Sequence, residues 1–364
     1  MGQINYDDLT TDLTLISIIG IEDPLRSGVR EAVANCGKAG VRVKMCTGDN
    51  ALTAKSIAQQ CGIYTAGGIV MEGPHFRTLS PEAMETIVPQ LQVLARSSPE
   101  DKRILVEKLR ELGDVAGVTG DGTNDGPALE TAHVGFSMGI VGTEVAEEAS
   151  DIIIMDDNFS LIVKAIISGR CVNDSVRKFL QFEISAKVTA IVITFVWALA
   201  SSSDESPLSA VQLLWVNLIM DAFAALALAT DRASSVQLER KPDKKTDPLF
   251  TINMIKQILG QAIYQITMIL IFHFLGPQIL FHHTDDATLR QHHHDVVRTL
   301  VFNAFVFAQI FNSFNCRRLD SKLNVFDGVT KNWYFMVVTA IGSSPRARLC
   351  RDVNAFRQRL LYKC

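Results

Sequence analysis

The sequence predicts an α/β domain built on a parallel sheet, followed by a bundle of membrane-spanning helices. In the first half, short apolar strands alternate with helical stretches, which is typical of a parallel sheet covered by helices. From Leu180 onward the apolar runs lengthen to about 20 residues, the length that a helix needs to cross a bilayer. Hydrophobic residues make up 48% of the 364 residues, which is a high share for a purely soluble protein.

Two acidic, glycine-containing loops follow predicted strands in the first half. The stretch "GVRVKMCTGDN", Gly40 to Asn50, predicts a strand and a Gly-Asp turn, with a helix through Gln60. The stretch "DVAGVTGDGTND" repeats this design, with a strand through Val118 and a helix from about Asp125. "HVGFSM" and "ASDIIIMDD" predict two more buried strands. Ligands bind at the carboxyl ends of parallel strands, so both loops fall where a binding site is expected.

The composition of these loops favours a magnesium ion and a phosphate-bearing ligand. Magnesium is held by one or two carboxylates, with phosphate and water oxygens completing its shell. Glycines allow backbone N–H groups to approach an anion closely. A single such loop could be no more than a turn, because turns favour Gly, Asp and Asn. Two loops at equivalent strand ends favour the binding site.

The second half contains four predicted spans and the start of a fifth. The spans are Leu180–Ala200, Leu208–Ala229, Ile252–Leu275 and Val296–Phe314, and Trp333–Ile341 begins another. Lysines and arginines follow the second and fourth spans, whereas the connections after the first and third hold only Arg290. Positive loops face the cytosol, so the α/β half is predicted to be cytosolic. The alternative is a set of buried helices in a soluble protein.

The bulk composition excludes several classes of partner and site. A net charge of -4 gives no reason to expect nucleic acid as a partner. The seven cysteines include no C-x-x-C pair, which argues against a zinc site or a disulfide framework.

Four motifs together resemble the phosphorylation domain of P-type cation ATPases, which has a haloacid-dehalogenase-like fold. They are "KMCTGDN", "RSSPEDK", "GVTGDGTNDGPAL" and "ASDIIIMDDNF", in the family's order. The match runs from about Leu13 to Ile341. "WVNLIMDAFAALALATD" and "FNAFVFAQIFN" resemble the calmodulin-regulated calcium pumps of plasma membranes and vacuoles. The resemblance therefore implies Ca²⁺ as transported ion, with Mg²⁺ and ATP used by the complete pump.

The resemblance also implies roles for individual residues in phosphoryl transfer, where positioning and charge neutralisation carry most of the catalysis. The turn Thr47-Gly48-Asp49 matches the segment that helps to bind the transferred phosphate. Lys102 matches the lysine that neutralises phosphoryl charge, although without its motif a solvated lysine at a helix start would be the simpler interpretation. Asp121 matches the carboxylate that binds Mg²⁺, and Asn124 and Asp125 support that site.

Asn217 and Asp221 are the candidate calcium ligands within the membrane. They are four residues apart and share one helix face, and an ionisable residue in mid-span is a functional candidate. They match the family's ion-site Asn and Asp, and the alternative is an interhelical hydrogen-bonded pair. Gln309 and Asn312 on the fourth span are predicted to serve helix packing.

Lys187 departs from the family pattern, because the family position carries a neutral amide near the ion path. A cation there would compete with calcium for Asp221. Alternatively, Lys187 pairs with Glu183, in the favourable order for a helical ion pair, or its ammonium reaches the cytosolic interface. The three interpretations remain open at this point.

The chain is predicted to be the C-terminal-half piece of a longer pump, because no D-K-T-G-T motif for the phosphorylated aspartate occurs in it. The predicted parts are a phosphorylation-domain portion with an incomplete sheet (1–158), a stalk (159–179), four spans (180–314), a cytosolic loop with the start of a fifth span (315–341) and an atypical basic tail (342–364). The abrupt change to arginine-rich sequence in the tail suggests a frameshift, an unspliced intron or a mispredicted gene end, and the alternative is an amphipathic tail that binds calmodulin or a lipid surface. The histidines between Phe281 and Asp295 could bind a transition metal, or belong to a solvated loop.

Three functions follow from these observations. The first is part of an ATP-driven calcium pump that exports Ca²⁺ from the cytosol at the vacuolar or plasma membrane, the activity of this chain alone being left open. The second is a non-catalytic membrane fragment that regulates an intact pump or is a relic. The third, a membrane-tethered phosphatase, needs a nucleophilic aspartate at the end of its first strand. Asp12 precedes its strand and Asp23 leads into Pro24, so neither suits that role.

Overall fold

A computed structural model describes residues 14–20, 24–200, 214, 221–230, 235–280, 287–319, 329, 332–337 and 339–340. The chain forms two compact units, Met1–Leu161 and Ile162–Cys364. The first contains the strands, and the second is helical wherever regular structure is described.

The first unit alternates strands and helices along its length. Its strands are β1 (Met45–Cys46), β2 (Ile69–Glu72), β3 (Leu91–Ala95), β4 (Gly117–Gly120), β5 (Val134–Met138) and β6 (Ile152–Ile154). Its helices are α1 (Val29–Lys38), α2 (Ala51–Cys61), α3 (Gly73–Phe76), α4 (Pro81–Ile87), α5 (Pro99–Glu111), α6 (Gly126–Thr131) and α7 (Glu144–Glu148). Every strand pairing among the described residues is parallel, in agreement with the predicted fold class.

The strands form two sheets of three in the described residues. The first sheet has the order β1-β3-β2 and the second has the order β4-β5-β6. β1 and β4 are therefore edge strands, and they are the strands that precede the two acidic loops. The four strands predicted from the sequence are present, although Ile152 and Ile153 of β6 are exposed rather than buried. β2 and β3 were not predicted.

Side-chain caps define where the two helices nearest the Thr47 turn begin. The side chain of Asn50 accepts the N–H of Thr53 at the start of α2. Ser98 and Asp101 form a reciprocal capping box at the start of α5. Such a box satisfies two backbone donors that have no partner inside the helix. The cap fixes the position of the first turn of α5, which carries Lys102.

Two apolar clusters cover the first sheet. Ala54 and Ala58 of α2 pack against Val93 and Ala95 of β3. The other cluster joins β3 to the helices around it through Phe76, Met84, Val88, Leu91, Leu94 and Leu105. β3 thus lies at the centre of the core, and its carboxyl end leads directly to the candidate site.

The second unit contains the long helices α8 (Ser160–Ala200), α10 (Ile252–Phe274) and α12 (Ala287–Cys316), and the shorter α9 (Asp221–Ala229) and α11 (Gly276–Leu280). Within the described residues, three helices are long and apolar enough to cross a membrane: Ser160–Ala200, Ile252–Phe274 and Val296–Cys316. They include the first and fourth predicted spans and all but the last residue of the third, and the first helix begins 20 residues before its predicted span.

A shared core joins these three helices. Ile193 of α8 and Ile269 of α10 pack against Val297, Val301, Phe305, Val306 and Ile310 of α12. Most of the predicted span Leu208–Ala229 lies outside the described residues, as do residues 281–286 of the histidine-rich stretch and the basic tail at 342–364. Residues 287–295 of the histidine-rich stretch form the start of α12, so this part is helical and is not the solvated loop that the sequence suggested.

Candidate active site

The Thr47-Gly48-Asp49 turn follows β1 and is closed by its own side chains. The Thr47 hydroxyl donates to Asp49 Oδ2 at 3.1 Å and accepts the Asp49 N–H at 3.1 Å. Gly48 and Asp49 are exposed. The turn therefore presents its backbone and the Asp49 carboxylate to solvent.

Backbone hydrogen bonds tie this turn to the end of β3. Arg96 N–H donates to the Asp49 carbonyl at 2.8 Å, and Ser97 N–H donates to the Thr47 carbonyl at 3.0 Å. Arg96 adopts a left-handed conformation with φ of 45°, which for a residue of its size requires support from its surroundings. Ser98 caps α5 directly after this, so backbone hydrogen bonds connect the turn to the segment that leads into Lys102.

Lys102 lies against the loop of the second sheet. Its ammonium nitrogen is 2.7 Å from Asp125 Oδ1, and the two side chains are 16% and 15% exposed. Partial burial makes this ion pair less screened than one at the surface. The pair connects α5, which follows the first sheet, to the loop after β4 of the second sheet.

The Asp125 carboxylate shapes the "GDGTND" loop from within. Its Oδ2 atom accepts the N–H groups of Asp121 and Gly122 at 3.3 Å each. A β-carbon added at Gly120 would lie 2.4 Å from the Asp125 β-carbon, so only glycine fits there. Asp125 thus supports the loop, while the Asp121 side chain is exposed and Asn124 lies exposed in the turn Thr123–Asp125.

Cys46 is the titratable side chain immediately before the Thr47 turn. Burial, opposed by the charge of Lys102 and reinforced by that of Asp125, raises the pKa of its thiol to about 11. The thiol is therefore protonated at neutral pH, and it is not a suitable nucleophile because the thiolate is the reactive form.

The donor set of the loop fits one carboxylate ligand for magnesium. Among the described residues, no group of three His, Cys, Asp or Glu side chains could hold a metal ion. Mg²⁺ characteristically uses one or two carboxylates together with substrate phosphate. Asp121 would supply one such carboxylate, and the Lys102 ammonium in the same unit could neutralise phosphate charge.

The structure covers only part of the candidate calcium site. Asn217 lies outside the described residues, and Asp221 is the first residue of α9. Lys187 forms an ion pair with Glu183 one turn earlier in α8, as one of the three interpretations requires.

Gln309 and Asn312 lie in a buried hydrogen-bonded network within the bundle. Gln309 Nε2 donates to Gln265 Oε1 at 2.9 Å, and Asn312 Nδ2 donates to Ser185 Oγ at 2.7 Å. These bonds connect α12 to α10 and to α8. Polar side chains that bond across helices are the packing role predicted for them.

Two residues near the site were missed by sequence reasoning. Asp101 is fully buried, bonds to Ser98 and lies 2.8 Å from Arg77 Nε. The S-x-x-D spacing before an apolar run was the available signal. Asp157 is also buried and accepts two backbone N–H groups, and no local pattern in the sequence distinguished it from its neighbour Asp156.

The two halves match two separate protein families. Residues 4–133 match the haloacid dehalogenase-like hydrolases. Residues 205–343 match the family described as cation transporting ATPase, C-terminus. The predicted fold class is confirmed: a haloacid-dehalogenase-like domain on parallel sheets, followed by helices with the length and composition of membrane spans.

Similarity to individual proteins is high and extends over nearly the whole chain. "Calcium-transporting ATPase 2" of Cryptococcus neoformans is 63% identical over 339 residues, covering 93% of this chain and 24% of the relative. The protein of the same name from Schizosaccharomyces pombe is 54% identical, with coverage of 93% and 26%. A putative plasma membrane-type calcium-transporting ATPase 11 of Arabidopsis thaliana is 50% identical, with coverage of 89% and 31%.

The chain is thus a homologue of the P-type calcium-transporting ATPases, including plasma membrane-type members, as its motifs predicted. It spans about a quarter to a third of the length of these curated relatives.

Proposed function

We propose that this chain is part of an ATP-driven calcium pump that exports Ca²⁺ from the cytosol. One observation carries the proposal: in a close homologue of calcium-transporting ATPases, an ion pair of 2.7 Å joins Lys102 of α5 to Asp125 of the acidic loop after β4. Phosphoryl transfer uses an ammonium group, a carboxylate that can bind Mg²⁺ and a glycine-containing turn.

The proposed reaction is transfer of the γ-phosphoryl group of ATP to an aspartate of a D-K-T-G-T segment in the complete polypeptide. A new bond forms between the aspartate carboxylate and phosphorus, and the bond to ADP breaks. Thr47, Gly48 and Asp49 would hold the phosphate region, and Lys102 would offset its charge. Asp121 would hold Mg²⁺, which supplies electrostatic stabilisation of the phosphoryl oxygens when bound. Asn124 and Asp125 would maintain the loop.

In the membrane half, Asn217 and Asp221 would offer oxygen ligands to Ca²⁺. The helices of the second unit would lie in the bilayer of a vacuole or of the plasma membrane. Regulation by calmodulin through a terminal region belongs to the same proposal, because it rests on the subclass resemblance.

The test is ATP-dependent calcium uptake by a complete pump. Residues 14–340 would replace the aligned part of the S. pombe relative, in vesicles from cells depleted of their own calcium pumps. We expect calcium uptake and a magnesium-dependent phosphoprotein. Asp121→Asn should lower phosphorylation by about 100-fold or more, as expected when an electrostatic ligand of the transition state is lost. Asp221→Asn should raise the calcium concentration needed for half-maximal uptake.

Asp156→Asn is the matched control, because it makes the same chemical change at an exposed aspartate of the same unit. If the hybrid reaches the membrane but neither becomes phosphorylated nor transports calcium, the proposal is wrong. If the isolated chain alters uptake by an intact pump while the hybrid is inactive, the alternative of a regulatory membrane fragment is supported instead.

A further inference from the structure

Asp157 holds an unusual backbone conformation at the end of the second sheet. Its φ is 48°, in the left-handed region, and it is only 8% exposed. Asp and Asn tolerate this region better than most residues, but the conformation persists only where the surroundings hold it. α8 begins at Ser160, so this aspartate lies just before the longest described helix.

The Asp157 carboxylate holds the loop that follows β5. Oδ1 accepts the N–H of Ile140 and Oδ2 accepts the N–H of Val141, each at 3.0 Å. Hydrogen bonds to an ionised acceptor are stronger than neutral ones. The Asp157 carbonyl also accepts a bond from the Arg26 guanidinium at 3.1 Å. This aspartate therefore connects three segments that are distant in the sequence.

The same loop holds the backbone of Asp121 at its other end. Thr143 N–H donates to the Asp121 carbonyl at 2.9 Å, and Gly139 N–H donates to the Ile154 carbonyl at 2.8 Å. A β-carbon at Gly142 would lie 1.8 Å from the Met138 carbonyl oxygen, so the path of the loop is tightly constrained. Residues 139–143 thus form a short bridge from Asp157 to Asp121.

We propose that Asp157 is a positioning residue for the magnesium-binding loop: its carboxylate fixes residues 139–143, and these fix the backbone of Asp121. This inference rests on the proposed function, because it concerns the ligand that Asp121 offers to Mg²⁺. Asp157 itself contacts neither the metal nor the phosphate in this role. It acts through backbone hydrogen bonds, so it sets where the Asp121 carboxylate is rather than what it does.

Hydrogen exchange on the whole chain in detergent micelles tests the bridge without any activity. Asp157→Asn keeps a residue that tolerates left-handed φ, but it replaces one acceptor oxygen with an NH₂ group. We expect amide exchange to accelerate several-fold both in residues 139–143 and in residues 117–125. Asp156→Asn, the same change one position earlier at an exposed side chain, should alter neither segment. Acceleration in 139–143 alone would overturn the proposal.

A second pair of variants breaks the bridge at its other end and serves if Asp157→Asn fails to fold. Thr143→Pro removes the N–H that bonds the Asp121 carbonyl, and its φ of -82° is close to that of proline. Thr143→Ala keeps that N–H and removes only the side-chain cap of α7. Faster exchange of residues 117–125 in Thr143→Pro but not in Thr143→Ala supports the bridge, and equal exchange in both contradicts it.

The functional arm measures the magnesium concentration for half-maximal phosphorylation in the hybrid pump. Asp157→Asn should raise this magnesium concentration about three- to ten-fold. A purely structural role would instead lower the amount of folded pump and leave the magnesium concentration for half-maximal phosphorylation unchanged. An unchanged value in a phosphorylated Asp157→Asn pump overturns the inference alone. Absence of phosphorylation in the unsubstituted hybrid overturns the proposed function, and the exchange experiment then still decides whether Asp157 holds the Asp121 loop.

Discussion

Lys102 and Asp125 form an ion pair across the two sheets of the α/β unit, with 2.7 Å between Nζ and Oδ1. The same carboxylate accepts two backbone N–H groups of its own loop through its other oxygen. Asp125 therefore connects α5 to the loop that carries Asp121. This geometry allows the pair to be tested separately from any activity.

A double-mutant cycle with Lys102→Met and Asp125→Asn should give a coupling energy of about 1–3 kcal/mol, because the two groups contact each other and are mostly buried. Pulsed labelling of the buried thiols of Cys36 and Cys61 reports unfolding of this unit. A coupling energy below about 0.5 kcal/mol, the size typical of independent sites, would contradict the ion pair.

Gly120→Ala should destabilise the α/β unit by about 1–3 kcal/mol, the usual cost of overpacking. The added methyl group would lie 2.4 Å from the Asp125 β-carbon, so the loop must shift. Gly37→Ala is the matched control, because nothing lies within 4 Å of its added carbon. In helix α1 this control should be neutral or stabilising by up to about 1 kcal/mol. Thiol labelling under denaturant measures both, and equal effects would contradict the steric argument.

Asp101→Ala should cost about 2–4 kcal/mol, because it removes half of a capping box and leaves Arg77 without its buried partner. Arg77 is 47% exposed, so solvent screening keeps the loss towards the lower end of that range. Asp114→Ala breaks an ion pair with Arg42 that is exposed on both sides, and it should cost below about 1 kcal/mol. Comparable decreases in the free energy of unfolding of the two variants would show that the burial of Asp101 adds nothing to stability.

Lys44 should make stability depend on alkaline pH. Burial, and secondarily the charge of Arg42, lower the pKa of its ammonium from 10.5 to about 8. Between these values the unfolded chain holds a proton that the folded chain has lost. Stability therefore rises with pH through this window, and the contribution is constant below it.

The measurement is the free energy of unfolding of the protein and of Lys44→Met across that pH range. The difference between them should shift in favour of the unsubstituted protein as pH increases. The ammonium also donates to the carbonyls of Val88 and Leu91 at 2.8 and 2.6 Å. A difference that is flat, or that shifts the other way, would show that these carbonyls keep the ammonium charged.

The sequence predicted the parts of the fold that carry a local signal. The Thr47 turn and the Asp121 loop were found because glycine and carboxylates directly follow apolar strands. β2 and β3 were missed because "IVME" and "LQVLA" are short apolar runs with no such loop, and periodicity cannot separate them from buried helix. Their pairing with β1 depends on residues far apart in the chain.

The sequence named the candidate site residues one by one, but it did not predict which of them contact each other. Resemblance indicated Lys102 and Asp125 separately, and only folding shows that they contact each other. No spacing rule in the sequence predicts the ion pair between Arg77 and Asp101. The same holds for the hydrogen bond from the Ile140 N–H to Asp157. Such contacts arise from tertiary packing, and local secondary-structure propensity does not predict them.

β1 and β4, the strands that precede the two acidic loops, each have one paired side in the described residues. The loops with the candidate chemistry are thus attached to edge strands of their sheets. An unpaired strand edge opens at a lower free energy than the core and offers its backbone groups to any other chain. Purified on its own, this chain should therefore be cut first by proteases near these loops, and it should self-associate through them as its concentration rises.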